Sequence, residues 1–209
     1  MEPKDSVNAN RMERKKEETK QKIIDVAMDL FNKQGFGSTT MEQIAAEADI
    51  AKRTLYNHFQ VKEAIISEYV RRSIRAKIPG AIQFLRELPD TRSRLIGVLH
   101  KATEWVELNK EISEIYIAYR VQNLFQAFKD PSLRSGFTEV LAKIIALGQE
   151  TGELRRDIPG ELLTNQLEFI HASTVMGWLA DPEKFPVTEN IARNVDMFLN
   201  GASHRADKE

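Results

Sequence analysis

No cysteine occurs among the 209 residues, so disulfides and thiolate-ligated metals are ruled out. No apolar run approaches the ~18 residues a membrane-spanning helix needs. The charged N-terminus has none of the apolar core of a signal peptide. The expectation is a cytoplasmic protein with no membrane partner. No alternating strand pattern, internal repeat or low-complexity tract stands out. Catalytic chemistry is equally thin. The four histidines (His58, His100, His171, His204) are scattered without ligand spacing. There is no glycine-rich phosphate loop and no nucleophile elbow. We therefore expect no enzyme, no metal and no cofactor.

What the chain does hold is 42% apolar and 29% charged residues, with a net charge of −1. That composition and length suit a soluble globular protein with a sizeable core. The charge is unevenly placed. Lys52 to Lys77 carries seven basic residues against two acids, a local +5 that leaves −6 for the remainder. A positive face on a mildly acidic body suits a protein that touches phosphate with one end. A solvated helix surface is the competing explanation.

Nearly all of the periodicity is helical. Residues 1–16 are polar and aperiodic and read as a flexible arm. Its basic side chains Arg11, Arg14, Lys15 and Lys16 suit either a minor-groove contact or a solvated tail. Ile23, Val26, Ala27, Leu30 and Phe31 then recur at helical spacing. That first helix should stop at Gly35, a suitable left-handed C′ residue, with Phe36 packing back on its last turn. Thr39 with Glu42 and Thr40 with Gln43 each make a capping box; Thr40 is the preferred N-cap and starts a helix at about 41–48. Asp49 and Ile50 form a turn, and the next helix runs from about Ala51 to Phe59. Leu55 and Phe59 should face inward against Ile44 and Ala45. A fourth helix from Val61 should end or kink at Pro79. Further helices are expected at 80–88, 91–108, 112–128, 132–151, 159–180 and 188–201, with a tail at 202–209.

Two short helices joined by a tight turn, the second studded with hydrogen-bond donors, suit the DNA major groove. In detail the stretch resembles the tetracycline-repressor-like (TetR) family of bacterial transcription regulators. The residues that carry the resemblance are Ile23-Ile-Asp-Val-Ala-Met-Asp-Leu-Phe31, Gly35-Phe36, Thr39-Thr40, Ile44-Ala45-Ala48 and Thr54-Leu-Tyr-Asn-His-Phe59, followed by Lys62-Glu63. It implies an all-α protein with a DNA-binding domain at 17–77, whose helix-turn-helix is 40–59. A helical domain at 78–201 would bind a small molecule and dimerise through its last two long helices.

Carried over residue by residue, the resemblance places Thr40, Tyr56, His58 and Lys62 against phosphates. Lys52, Arg53, Thr54 and Asn57 fall where base or backbone contacts vary with the operator. The chemistry agrees: arginine pairs with guanine, asparagine with adenine, and a threonine methyl meets thymine. Packing within the small domain is the competing role for Tyr56 and His58. There are two departures. Asp49 stands where glycine is common and Ala51 where serine is common. Aspartate tolerates a left-handed turn, and alanine forgoes a side-chain cap.

Beyond residue 80 the aromatic and amphipathic residues Phe84, His100, Trp105, Tyr116, Tyr119, Phe125, His171, Met176 and Trp178 are candidates to line a ligand pocket. Core packing is the alternative for each. Leu163, Leu167, Ile170, Val175, Ile191, Val195 and Phe198 are candidates for a dimer interface. The expected function is a homodimeric repressor, released from a palindromic DNA operator by a small, mainly apolar effector. A ligand-independent DNA-binding factor is the alternative. More remote is a carrier or enzyme that has kept a helix-turn-helix.

Overall fold

The computed structural model describes residues 4–130 and 134–202, and among them finds ten α-helices and no strand. The chain divides into two units, the first reaching Val70 and the second starting at Arg71. The division falls inside a helix, a few residues before the boundary expected at 77/78. The tail expected at 202–209 lies outside the described residues, except for Ala202.

The first unit holds α1 (Lys4–Gln34), α2 (Met41–Glu47), α3 (Lys52–His58) and the start of α4 (Lys62–Arg86). α1 begins well before residue 17, so the arm expected to be flexible is helical from Lys4 onward. Residues 11–18 are exposed and Arg14 pairs with Glu18 at 3.4 Å. Aperiodic charge there marks a helix with no buried face, because lysine, arginine and glutamate are good helix formers. Further along, α1 buries Ile23, Ile24, Ala27, Met28 and Phe31, while Val26 and Leu30 are only partly covered. The buried stripe is thus rotated slightly from the expected one.

α1 stops as its sequence requires. Gly35 takes φ +85°, its N–H donates to the Phe31 carbonyl at 2.9 Å, and the Phe36 ring lies 5.1 Å from that of Phe31. Ile44, Ala45, Leu55, Phe59, Ile65 and Ile66 complete this small core. Each large apolar side chain buried there is worth roughly 1.5–3 kcal/mol.

The second unit holds the rest of α4 and then α5 (Thr91–Leu108), α6 (Lys110–Gln122), α7 (Leu124–Lys129), α8 (Gly136–Thr151), α9 (Gly160–Ala180) and α10 (Val187–Ala202). Pro79 does not end α4. The helix runs through to Arg86, with proline merely removing one backbone bond. It ends where buried Arg94 donates to the carbonyls of Leu85, Leu88 and Pro89.

The helix expected at 112–128 is instead α6 and α7, separated at Asn123. Its side-chain amide donates to the Tyr119 carbonyl at 2.8 Å. Asn109 does the same to Trp105 between α5 and α6. The Asn109 N–H turns instead to the Val106 carbonyl, whereas the Asn123 N–H shares the Tyr119 carbonyl with its own side chain.

Leu95, Leu99, Leu141, Ile144, Ile145, Leu154, Leu163, Leu167, Ile191, Val195 and Phe198 form the core of this unit. α8 and α9 run antiparallel, with Thr138 bonded to Glu168 near one end and Gly160 against Gln149 near the other. At the α9–α10 turn the Phe185 ring occupies the space a side chain on Gly177 would need.

Candidate functional site

The two helices of the helix-turn-helix are held by their caps. The Thr40 side chain accepts from the Gln43 N–H at 3.1 Å, and the Gln43 side chain accepts from the Thr40 N–H at 2.8 Å. The reciprocal box satisfies two N–H groups at the start of α2. Asp49 turns the chain at φ +49°, the one positive-φ residue other than glycine among the described residues. Ala51 begins α3 with no side-chain cap.

Leu55 is fully buried and Phe59 nearly so. At 100° per residue, anchoring Leu55 inward turns Arg53 and Asn57 to the opposite side of α3, and both are exposed. Lys52 and the half-open Tyr56 flank that ridge on one side, Thr54 and His58 on the other. This brings the expected reading residues together on one helix surface. Lys52 also reaches Glu42 of α2 at 3.7 Å, a solvent-exposed pair of little energetic weight.

His58 is partly covered. Burial first, then the charges of Lys16 and Lys20 on α1, hold its pKa below the ordinary histidine value. At neutral pH it therefore offers a neutral imidazole rather than a positive charge. α1 contributes charge from Lys16 and Lys20 here, a link that the arm reading did not foresee. Lys20 also pairs with buried Glu68 at 3.0 Å.

Lys62 sits differently from the expectation. Its ammonium donates to the carbonyls of Phe36 at 2.7 Å and Thr39 at 2.5 Å, and lies 4.3 Å from the Phe36 ring centre. Two of its three donors thus hold the α1–α2 loop. Sequence spacing gave no sign of this, because the partners are backbone atoms more than twenty residues away.

In the second unit the expected pocket residues separate. Phe125 is 83% exposed and Met176 40% exposed, so neither lines an interior. Short α7 leaves Phe125 outside once Asn123 breaks the helix. Phe84 is half-buried against the core, under the Lys101 ammonium. His100, Trp105 and Tyr119 are half-buried on α5 and α6. Tyr116 does meet a polar group. Arg120 of α6 donates to Glu168 of α9 at 3.1 Å and to the Tyr116 hydroxyl at 3.4 Å, and Glu168 accepts from Thr138 of α8. His171, one turn on from Glu168, lies with its ring 5.1 Å from that of Phe137 and tilted 43° to it, and burial pushes its pKa down to about 4. Arg120 and Glu168 were not among the expected residues. Their charge signs at helical positions facing each other appear only once α6 and α9 are paired.

The dimer residues need a correction. Leu163, Leu167, Val175, Ile191, Val195 and Phe198 are all buried within a single chain, and Ile170 packs against the same core. The exposed apolar residues of α9 are instead Leu162, Phe169 and Met176, seven apart along one stripe. A single-chain hydrophobic pattern does not tell a face packed internally from one left for a partner.

No group of three or more potential metal-ligating histidines and carboxylates occurs among the described residues. No helix of the described residues is long and apolar enough to cross a membrane.

Known proteins similar to this chain agree with the geometry. Residues 23–69 match the family of bacterial regulatory proteins described as the tetR family. The chain is 20% identical to the fatty acid metabolism regulator protein of Bacillus subtilis (strain 168), over 88% of this chain and 95% of that one. It is 27% identical to the HTH-type transcriptional regulator AcrR of Shigella flexneri, over 91% and 92% respectively. A crystal structure of Thermus thermophilus FadR, a TetR-family transcriptional repressor in complex with lauroyl-CoA, superposes with a TM-score of 0.76 at 22% identity. It covers 91% of this chain and 98% of that one. At such identity the structural likeness is one of fold.

Proposed function

We propose that this chain, whose residues 23–69 match the tetR family of bacterial regulatory proteins, is a cytoplasmic homodimeric repressor that reads DNA with α3 and whose operator affinity falls when a small, mainly apolar molecule binds the second unit. The observation that carries the DNA half is the exposed ridge of Arg53 and Asn57 over buried Leu55 and Phe59. In this reading those two side chains meet base edges, and Lys52, Thr54, Tyr56, His58 and the Thr40 cap position α3 against the phosphates.

One recognition helix reads only a few base pairs, so a two-fold copy about 34–36 Å away completes a palindrome. The stripe Leu162, Phe169 and Met176 gives the second copy its seat. Heptad spacing keeps these residues on one side of α9, opposite the side turned to its own core. The T. thermophilus relative carries lauroyl-CoA, which supports an effector with a long apolar part. An effector that prefers one spacing of the two reading helices lowers operator affinity by its difference in binding free energy between the two states. α4, which runs from the first unit into the second, is the covalent link. No catalytic step belongs to this reading.

Selection of bound fragments from a random duplex DNA pool tests it. The expected result is an inverted repeat with half-sites one helical turn apart, bound by a dimer. A pool that stays unenriched at low salt, or a monomer on a single half-site, defeats the reading.

A further inference from the structure

α1 outruns the core it helps to build. The helix begins at Lys4, yet residues 11–18 are exposed throughout, and the first buried side chain among those described is Ile23. Lys20 fixes where the overhang starts. Its ammonium lies 5.9 Å from the ring centre of Phe59, immediately past the end of α3, and 3.0 Å from the Glu68 carboxylate. One turn earlier, Lys16 stands near His58, the last residue of α3. Burial first, then Lys16 and Lys20, lower the His58 pKa, with Glu17 acting the other way. The overhang therefore continues from the His58 end of the reading helix, within the first unit.

Charge along it is sorted by side. At 100° per residue, Arg11, Lys15, Lys16 and Lys22 fall within about 140° of arc, and Glu13, Glu17 and Glu18 fall in the remainder. Arg14, on the acidic side, pairs with Glu18 at 3.4 Å. Arg11, Lys15, Lys16 and Lys22 join no ion pair among the described residues. Solubility needs charge but not sorting, whereas a polyanion lying along one side favours it. A helix with its side chains is about 10–12 Å across, and the minor groove is only about 6 Å wide. A helical overhang thus does not enter that groove as an extended arm would. Arg11 to Lys20 spans about 14 Å, close to four base pairs of duplex at ~3.4 Å each.

Resting on the DNA-reading role of α3, we propose that the α1 overhang is a second DNA-contacting element, a rigid helix that lays Arg11, Lys15 and Lys16 along the phosphates just outside each half-site. Such contacts are blind to sequence and strengthen binding to any flank. They need the helix intact, because only its register keeps the three cations to one side.

Two operator fragments test this on the full-length chain. One is cut at the outer edge of both half-sites, and the other carries about ten further base pairs of arbitrary sequence at each end. The wild type is expected to bind the long fragment at least tenfold tighter. Its slope of log affinity against log salt should be steeper there by roughly 0.9 for each added phosphate contact. The triple variant Arg11→Gln, Lys15→Gln, Lys16→Gln should lose that advantage at an unchanged thermal midpoint. Glu18→Pro keeps every cation but interrupts the helix ahead of the core, and it should lose the advantage too. Should Glu18→Pro lower the thermal midpoint, the triple variant, which alters exposed side chains only, decides. Equal wild-type affinity for the two fragments, or a triple variant that keeps the advantage, overturns the element. A folded Glu18→Pro that keeps it shows a flexible tail and overturns the rigid helix. A chain that binds neither fragment at low salt brings down the reading of α3 itself, and this element with it.

Discussion

The ammonium of Lys62 lies 4.3 Å from the centre of the Phe36 ring and donates to the Phe36 carbonyl. Through that one residue the start of α4 holds the loop that delivers Thr40 to the start of α2. A cation that looks in sequence like a phosphate anchor is, in the fold, a brace.

Lys62→Met should therefore lower stability by about 2 kcal/mol, since charge-assisted bonds to two carbonyls are lost. The salt dependence of operator binding should keep its slope, because no phosphate contact is removed. Urea denaturation and a salt titration measure the two effects separately. A slope reduced by about one unit with unchanged stability would restore the phosphate role.

The exposed ridge of α3 gives a different pattern. Arg53→Ala or Asn57→Ala should relax preference at one operator position by roughly 1–3 kcal/mol. Tyr56→Ala should weaken all sequences alike. Binding to a panel of single-base operator variants separates these outcomes, and unchanged binding in all three proteins refutes the docking.

Ala51 begins α3 in an extended conformation, φ −64° and ψ 142°, with no side-chain cap. Ala51→Ser should supply the missing acceptor and raise stability by about 1 kcal/mol. Thr40→Ala should cost a similar amount by opening the capping box. Thermal melts of the two variants should shift in opposite directions.

On α9, Leu162→Glu and Met176→Glu should yield folded monomers with weakened operator binding, since both side chains are exposed on the single chain. Leu167→Glu places a charge at a fully buried position and should abolish folding instead. Sedimentation equilibrium together with circular dichroism distinguishes the classes. Dimers that persist in both surface variants place the interface elsewhere.

His171 gives the molecule an acid sensitivity. Burial holds its folded pKa at about 4 against an ordinary value of 6.5. Between those values the unfolded chain takes up a proton that the folded chain refuses, so stability falls as pH drops from 6.5 towards 4. The full loss is about 3 kcal/mol. His171→Gln should flatten that part of the stability curve, and a curve as steep as wild type would show that another group is responsible.

The helix-turn-helix was legible because its signals are local. Gly35, the Thr40–Gln43 box, Asp49 and the Leu55–Phe59 spacing each act within a few residues. The regulatory unit was less so. Pro79 and Asn123 exchanged roles: the proline left α4 intact, while the asparagine found a carbonyl acceptor and split a helix. The Arg120–Glu168 pair depends on how α6 and α9 align, and no local pattern carries that register.

Sequence alone therefore determined the helical content, the caps and turn, and which side of α3 stays outside, because each follows from side chains within one or two turns of each other. Tertiary structure decided which apolar stripe of α9 is core and which is open, what Lys62 holds, and where buried polar groups meet. Those outcomes depend on contacts between residues far apart in the chain, and packing sets such contacts only when the whole core closes.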